Sequence, residues 1–495
     1  MARSFYERLT ALDSSFLLLE KRNSPLHVAS TLTFEAGPLR TADGGIDAER
    51  IRAHVASELH RIPRYRQKIA WIPFTQRPVW IDDERFNLDY HVRHTSLPQP
   101  GSDEQLKRLS ARVMEQPLDP SRPLWEMWVV EGLEGDRFAV ISKVHHCMID
   151  GVSGVDLLKI LLSPTPDVHE SETPRYLPRR APTPFELWRD EMMRRALLPL
   201  EAAKGASALL NAAQDVRRDM LSRVRAAADM VGATMKTAAE TPLNDRISPH
   251  RRLDWLTFSL DDVKKIRRAF GCSVNDVVLA TVTGAMQRFL QRRQFNPSSV
   301  DFRVMAPVSV RTPEQRGALG NQVSAWILEL PIGEPDPREQ LRQIQARTTE
   351  LKGSRSAVGA QLLTEAAEWG SSTLLALGAR NVTRILPFNL VVTNVPGPQF
   401  PIYMAGARLL ETFPLVPLID NLGLVIGQMS YDGKLCWGFN ADYDLIPDLA
   451  AIVRATAEAF SELLTLAGEP ASIGAIAASP PPPPATPLQI VSKGV

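Results

Sequence analysis

Cysteine is scarce: Cys147, Cys272 and Cys436 are the only three in 495 residues, and no C-x-x-C pair occurs. That argues against a disulfide framework and against a structural zinc site, and makes a reducing cytosol the simplest expected compartment. Net charge is also nearly missing. The 57 basic and 56 acidic side chains leave +1, which removes the electrostatic case for a nucleic-acid partner. No run of ~18 uncharged apolar residues is present, so no bilayer-spanning helix is expected; peripheral attachment is a separate question. Leu17-Leu18-Leu19, bracketed by Asp13 and Glu20, is too short for the apolar region of a secretory signal. Proline is the one excess, at 39 residues.

What is present is a globular composition, 44% apolar and 23% charged, in a chain long enough for two or three domains. Residues 1–165 read as a first α/β domain. It has short strands, helices near Asp47–Glu58 and Asp103–Gln116, and a hairpin of Trp125–Glu131 and Arg137–Val144 around Gly132–Asp136. A helical run, Val152–Leu162, follows. Residues 166–250 read as a connection: a Pro/Ser/Thr-rich linker to about 185, then helix over 186–240. That helix mixes Arg189, Arg194, Arg195, Arg217 and Arg218 with Met192, Met193, Leu209 and Leu210. Such a segment suits either an anionic lipid surface or an ordinary solvated helix face. Residues 251–467 read as a second α/β domain. Its expected parts are a helix over Asp276–Arg293 with Asn275 as N-cap, strands at Arg303–Val310, Ser324–Leu330 and Leu390–Asn394, helices at Pro337–Leu351 and Val358–Leu377, a hairpin around Tyr431-Asp432-Gly433, and a last helix over Pro447–Leu466. Residues 468–495 form a tail with five consecutive prolines, Pro480–Pro484, expected to be extended and not catalytic.

The stretch that carries chemistry is His145-His146-Cys147-Met148-Ile149-Asp150-Gly151. Phe138, Val140 and Val144 alternate along the preceding strand and His146 continues that face, which sets the imidazole where a strand ends and a helix begins. Asp150 is placed to cap that helix, and Gly151 permits a tight turn. A neutral imidazole there can take a proton from a hydroxyl, provided one tautomer and one orientation are held. No serine nucleophile accompanies it, because Gly151-Val152-Ser153-Gly154 continues with Val155 and so lacks the last glycine of G-x-S-x-G. Direct attack of a bound acceptor on a bound acyl donor is therefore the simpler route. The competing readings are a metal site, for which H-E-x-x-H and a second ligand cluster are missing, and a purely structural histidine pair.

Further segments narrow the choice. They are Leu12–Leu17 through Glu20 with Pro25-Leu26-His27-Val28; Pro117-Leu118-Asp119 with Arg122-Pro123-Leu124-Trp125-Glu126; Ser273–Ala280; and Asn394-Val395-Pro396-Gly397-Pro398. Weaker support comes from Pro307–Arg311 and Gly320-Asn321. In these blocks, running in order from about residue 9 to 444, the sequence resembles the bacterial wax ester synthase/acyl-CoA:diacylglycerol acyltransferase family. That family lies within the coenzyme-A-dependent acyltransferase superfamily, which also holds chloramphenicol acetyltransferase and the condensation domains of peptide synthetases. The H-H-x-x-x-D-G motif alone indicates only the superfamily.

The resemblance implies two chloramphenicol-acetyltransferase-like α/β domains, each a mixed sheet with helices, meeting along a substrate tunnel with His146 at its middle. Long-chain acyl-CoA would enter from one side as co-substrate, and diacylglycerol or a fatty alcohol from the other, with no further cofactor and no metal. His146 would deprotonate the alcohol, and Asp150 would orient the site with Arg311 as a candidate salt-bridge partner. His145 would position backbone or pack. Asn275 and Asp276 are either helix-cap residues or site supports, with Asn275 a candidate oxyanion donor. Trp125 is either core or a tunnel wall, and Glu20 either a surface charge or a domain contact facing the tunnel. Arg251, Arg252, Lys264, Lys265, Arg267 and Arg268 either meet CoA phosphates or form a solvated face. The rival readings are a carrier-protein-fed condensation or trans-acylation enzyme, for which no carrier or adenylation sequence is present, and a non-catalytic membrane or lipid-droplet coat built on the 186–240 helices. Acceptor preference, chain length and oligomeric state stay open at this point.

Overall fold

The structure is a computed structural model, and it describes residues 5–148, 160–167, 174–210, 238–309, 323–353 and 386–468. In the first half lie β1 (Glu7–Arg8), α1 (Ala11–Leu19), β2 (His27–Glu35), α2 (Ala48–Glu58), β3 (Gln67–Ile72), β4 (Arg77–Asp82), α3 (Leu88–His91), β5 (Val92–Ser96), α4 (Asp103–Glu115), β6 (Trp125–Leu133) and β7 (Arg137–His145). The connection holds α5 (Pro184–Leu210). The second half holds β8 (Arg251–Ser259), α6 (Leu260–Phe270), α7 (Val274–Arg292), β9 (Arg303–Ser309), β10 (Val323–Glu329), α8 (Pro337–Gly353), β11 (Leu390–Pro396), β12 (Tyr403–Met404), β13 (Ala407–Leu415), β14 (Leu424–Tyr431), β15 (Lys434–Asp442) and α9 (Leu449–Leu466).

Two six-stranded mixed sheets organise these elements. The first has the order β12-β13-β2-β7-β6-β5 and the second β10-β9-β11-β14-β15-β8. Each contains parallel as well as antiparallel pairs, as expected for two mixed α/β domains. Helices α7 and α9 cover the second sheet, and their apolar faces close its core around Val278, Val282, Phe289, Ile452 and Phe460. Nothing in chain order anticipates that β12 and β13, from within residues 251–467, are built into the sheet of the first half. To reach it, β13 crosses the β14–β15 hairpin at backbone contact: a Cβ on Gly438 would stand 2.0 Å from the Pro414 carbonyl oxygen, so glycine is required there. Helix α4 completes the joint. Leu106, Val113, Trp255, Phe413 and Cys436 share one apolar cluster across the two halves.

Local chemistry explains most element ends. Ser102 and Gln105 close a capping box on α4, and Asp432 and Gly433, both at positive φ, form the two-residue turn between Tyr431 and Lys434. The N-cap of α7 is Ser273, not Asn275: Ser273 and Asp276 cap reciprocally, and the helix starts at Val274. The S-x-x-D spacing outcompetes the lone amide because it satisfies two backbone donors. Helix α5 begins at Pro184 and is described to Leu210. The expected helices at Val152–Leu162 and Val358–Leu377 lie wholly or mostly outside the described residues, as do residues 211–237 and the tail after Gly468. Among the described residues no single helix is long and apolar enough to cross a membrane.

Candidate active site

The site is built on two strand ends and one helix. Strands β2 and β7 run antiparallel with His27 opposite His145. The His145 N–H donates to the Leu124 carbonyl (2.9 Å) and the His146 N–H to the Leu26 carbonyl (2.8 Å). These two bonds end the strand and start a short 3-10 turn, His146–Met148. They also give the P-L-W and P-L-H-V segments a physical task, since Leu124 and Leu26 supply the acceptors that fix the paired histidines.

Helix α1 lies against this turn. Thr10 caps it by accepting the Asp13 N–H, and Phe16 stacks on the His146 ring with centroids 3.9 Å apart and planes 24° from parallel. His146 keeps partial exposure. Burial is the main reason its pKa falls to about 4; its own backbone opposes that fall and the neighbouring His145 adds to it. At neutral pH the imidazole is thus uncharged, the form a general base requires. Its Nδ1 is buried with no hydrogen-bond partner among the described residues.

Glu20, just past the end of α1, is no free surface charge. Its Oε1 accepts the Leu26 N–H at 3.3 Å and stands 3.5 Å from Nε2 of both His27 and His145. The two histidines are almost fully buried. The Cys147 N–H donates to His145 Nδ1 at 3.1 Å, so a neutral His145 carries its proton on Nε2, the nitrogen that stands near the Glu20 carboxylate without hydrogen-bonding it. Burial, reinforced by the Lys143 charge, pushes the His27 pKa well below the ordinary value. Lys143 itself is wholly buried; its ammonium donates to the carbonyls of Val113 (2.7 Å) and Gln116 (2.9 Å) and pairs with Glu126. His27 was not singled out in the sequence, because its role depends on a strand pairing 118 positions away.

Beyond the turn opens a cleft of about 400 Å³, lined by Asp13, Tyr65, Trp80, Cys147, Met148 and Arg179 among others. Burial raises the Cys147 thiol pKa, helped by the carboxylates of Asp13 and Glu20. The thiol is therefore inert as a nucleophile at neutral pH. Trp125 sits in the core behind this cleft. Its Nε1–H donates to the Tyr65 carbonyl at 2.8 Å and its ring stacks on His91, so it braces the wall that Tyr65 lines.

The remaining candidates separate. Asp276 spends one carboxylate oxygen on Ser273 and the other on the Thr348 hydroxyl at 2.8 Å, a full structural account of a buried acid. Asn275, beside it, is half-buried. The basic residues before this block divide between β8, which begins with Arg251 and Arg252, and α6, which carries Lys264, Lys265, Arg267 and Arg268. Arg251 is buried and donates to the carbonyls of Ser248, His250 and Asn23. Lys264 and Lys265 pair with Asp261 and Asp262 on the same helix. Asp150, Gly151 and Arg311 lie outside the described residues. No group of three or more His, Cys, Asp or Glu able to hold a metal occurs among the described residues.

Comparison with known proteins shows the family and the fold. The model of the wax ester synthase/diacylglycerol acyltransferase catalytic domain matches residues 9–278, and that of the family's C-terminal domain matches residues 319–464. A Mycobacterium tuberculosis protein provisionally named as a diacylglycerol O-acyltransferase, Rv1760, is 34% identical over 485 residues, covering 92% of this chain and 90% of its own. The M. tuberculosis protein Tgs1, under a similarly provisional name, is 31% identical over 473 residues, covering 92% of this chain and 96% of its own. Among solved structures, the wax ester synthase/diacylglycerol acyltransferase from Marinobacter aquaeolei VT8 superposes with a TM-score of 0.67 at 24% identity, over 93% of this chain and 100% of that one. The first condensation domain of the calcium-dependent antibiotic synthetase does so at 0.58 and 15% identity, over 95% and 98%. These two likenesses establish the shared fold.

Proposed function

The chain belongs to the wax ester synthase/diacylglycerol acyltransferase family, and from that premise we propose that it transfers a long-chain acyl group from acyl-CoA to diacylglycerol, to a long-chain alcohol, or to both. The products are triacylglycerol and wax ester. The observation that carries the reading is His146: an uncharged, partly exposed imidazole at a strand end, stacked on Phe16, beside a cleft. His146 takes the proton of the acceptor hydroxyl as its oxygen bonds to the thioester carbonyl carbon. The tetrahedral intermediate then collapses, the carbon–sulfur bond breaks, and the CoA thiolate recovers the proton from the imidazolium. No covalent acyl-enzyme forms; Cys147, the nucleophilic side chain nearest in sequence, is held as a thiol.

We assign the supporting roles as follows. His145, held by the Cys147 N–H beside Glu20, fixes the turn that presents His146. By the family resemblance Asp150, followed by Gly151 in the motif, is the residue that orients the site, with Arg311 as its candidate salt-bridge partner. By the same resemblance Asn275 is the candidate oxyanion donor, while Asp276 holds its helix end. The decisive experiment supplies palmitoyl-CoA to the purified protein and follows thiol release with and without each acceptor, then both acceptors in competition. Release that depends on acceptor and is lost in His146→Ala fits the reading. Undiminished turnover in that variant rejects the base, and lipid binding without any wild-type turnover favours a coating role.

A further inference from the structure

The turn between α1 and β2 is held from the other half of the molecule. Residues Lys21–Ser24 close on themselves: the Ser24 N–H donates to the Lys21 carbonyl at 2.9 Å and the Lys21 N–H to the Ser24 carbonyl at 3.3 Å. Two segments of the second half grip this turn from outside. In the stretch before β14, the Leu418 carbonyl accepts the Ser24 hydroxyl at 3.1 Å. Asp420 meets the Lys21 ammonium at 2.5 Å and the Asn23 side-chain amide at 3.4 Å. At the entry to β8, the Ile247 carbonyl accepts the same amide at 3.0 Å, and Arg251 donates from Nη2 to the Asn23 carbonyl at 2.5 Å.

These contacts are unequal. The Lys21 ammonium is 43% exposed, and ion pairs open to solvent hold little. The Arg251 side chain is only 3% exposed. Its charge faces the buried Asp442 at 3.8 Å, but Asp442 accepts its hydrogen bonds from Ser248 and from the backbone of Asp444 and Leu445. The guanidinium donates instead to three carbonyls. Those of Ser248 (2.7 Å) and His250 (2.9 Å) belong to its own strand entry, and that of Asn23 belongs to the first half. A planar fork that bonds both chains at once fixes one against the other, which the single ammonium of a lysine does not. A guanidinium shut from solvent in this way is also poorly placed to meet a CoA phosphate.

The two arms of the turn lead into the site. Glu20 directly precedes Lys21 and stands beside His27 and His145. Leu26 follows two residues after Ser24; its N–H donates to Glu20 Oε1 at 3.3 Å, and its carbonyl accepts the His146 N–H. We infer that Arg251 is a positioning residue for the candidate base: its grip on the Asn23 carbonyl sets the Lys21–Ser24 turn, and through Glu20 and Leu26 that turn sets the paired histidines against the second half. Arg251 acts through the turn and not on substrate. The expected effect on rate rests on the acyl-transfer reading, whereas the expected effect on the imidazoles does not.

Steady-state kinetics and imidazole NMR on the full chain test this. In Arg251→Lys, which keeps the charge and loses the fork, kcat for acceptor-dependent thiol release from palmitoyl-CoA falls about tenfold while KM for palmitoyl-CoA stays within about twofold. Asn23→Ala removes the amide bonds to Ile247 and Asp420 but keeps the carbonyl that Arg251 holds. Its kcat falls about threefold, and it decides the matter should Arg251→Lys not fold. In both variants the His27 and His145 signals, identified through His27→Gln and His145→Gln, move at neutral pH. Arg288→Lys, at a second-half arginine that bonds Gly284 and Glu462, leaves kcat and both signals unchanged. Thermal melts report which variants are folded. A rise in KM at full kcat makes Arg251 a contact of acyl-CoA and overturns the inference. Full kcat in the folded variants, histidine signals that stay in place, or an equal loss in Arg288→Lys overturns it too. Absence of wild-type turnover with every acceptor rejects the acyl-transfer reading instead, and the histidine signals then judge the positioning alone.

Discussion

Replacing Phe16 with alanine tests the electrostatics of the candidate base directly. The His146 pKa is displaced from 6.5 to about 4, with burial as the leading cause, a difference of roughly 3 kcal/mol between the two protonation states. Phe16 covers one face of the ring at stacking distance. Admitting water to that face should return a good part of the displacement, raising the pKa by roughly one unit. The sign has a stability consequence. Between about pH 4 and 6.5 the unfolded chain binds a proton at this position that the folded chain refuses, so folding weakens as pH falls through that window. In Phe16→Ala the window narrows from its acid end. Two measurements read the change. Imidazole resonances, followed by NMR between about pH 3 and pH 8, give the His146 titration when His146→Ala identifies its signal among the nine histidines. The acid limb of kcat/KM for acceptor-dependent thiol release should sit near about 4 in the wild type and about one unit higher in the variant. Turnover at neutral pH should fall as well, because the ring loses its stacking partner. A wild-type limb near the ordinary histidine value, or a limb that stays in place when Phe16 is removed, refutes the reasoning.

Other expected outcomes concern residues that act through the fold. Glu20→Gln keeps a group of the same shape between His27 and His145 but loses the charge facing two imidazoles; kcat should fall about tenfold with KM little changed, and Glu20→Ala should lose more. A pH–rate profile identical to that of the wild type, with full kcat, would count against any positioning role. Asp276→Ala removes a capping box and the Thr348 bond and should cost about 1–3 kcal/mol in urea unfolding, while kcat per folded molecule survives. A collapse of kcat at unchanged stability would return Asp276 to the site. Glu126→Gln strips the fully buried Lys143 of its carboxylate and should destabilise by about 3–5 kcal/mol. The loss should shrink as pH rises, since burial already lowers the Lys143 pKa and the neutral amine no longer needs a counter-charge.

Legibility in the sequence followed the range of the interaction. Features set within a few residues were readable: the Asp432-Gly433 turn, the α4 helix, the β6–β7 hairpin and the strand-end position of His146. The α7 cap was readable too, because Ser273 and Asp276 stand at capping-box spacing, but the adjacent amide of Asn275 drew the assignment away. Features set by strand pairing were not readable. That β13 joins the first sheet, that His27 faces His145, and that Trp125 donates to the Tyr65 carbonyl all depend on contacts between distant segments. Local composition carries no record of them. Glu20 shows both sides. Its place beside an apolar run was evident, yet nothing local says that a half-exposed carboxylate will reach two buried imidazoles.

Helix α1 explains why an opening segment and a motif some 130 positions later go together. Asp13, Phe16 and Glu20 are spaced three and four apart, hence along one face of the helix and just past its end. Each meets a different part of one turn. Asp13 lines the cleft with Cys147 and Met148, Phe16 stacks on His146, and Glu20 answers His145 and His27. A rigid element thus holds both ring orientation and cleft wall, so a shift of α1 would move them together. The turn after β7 cannot do this alone, because its own bonds, to Leu26 and Leu124, fix only backbone. An imidazole that must stay neutral, hold one rotamer and remain open on one side needs packing from a second element, and α1 is that element.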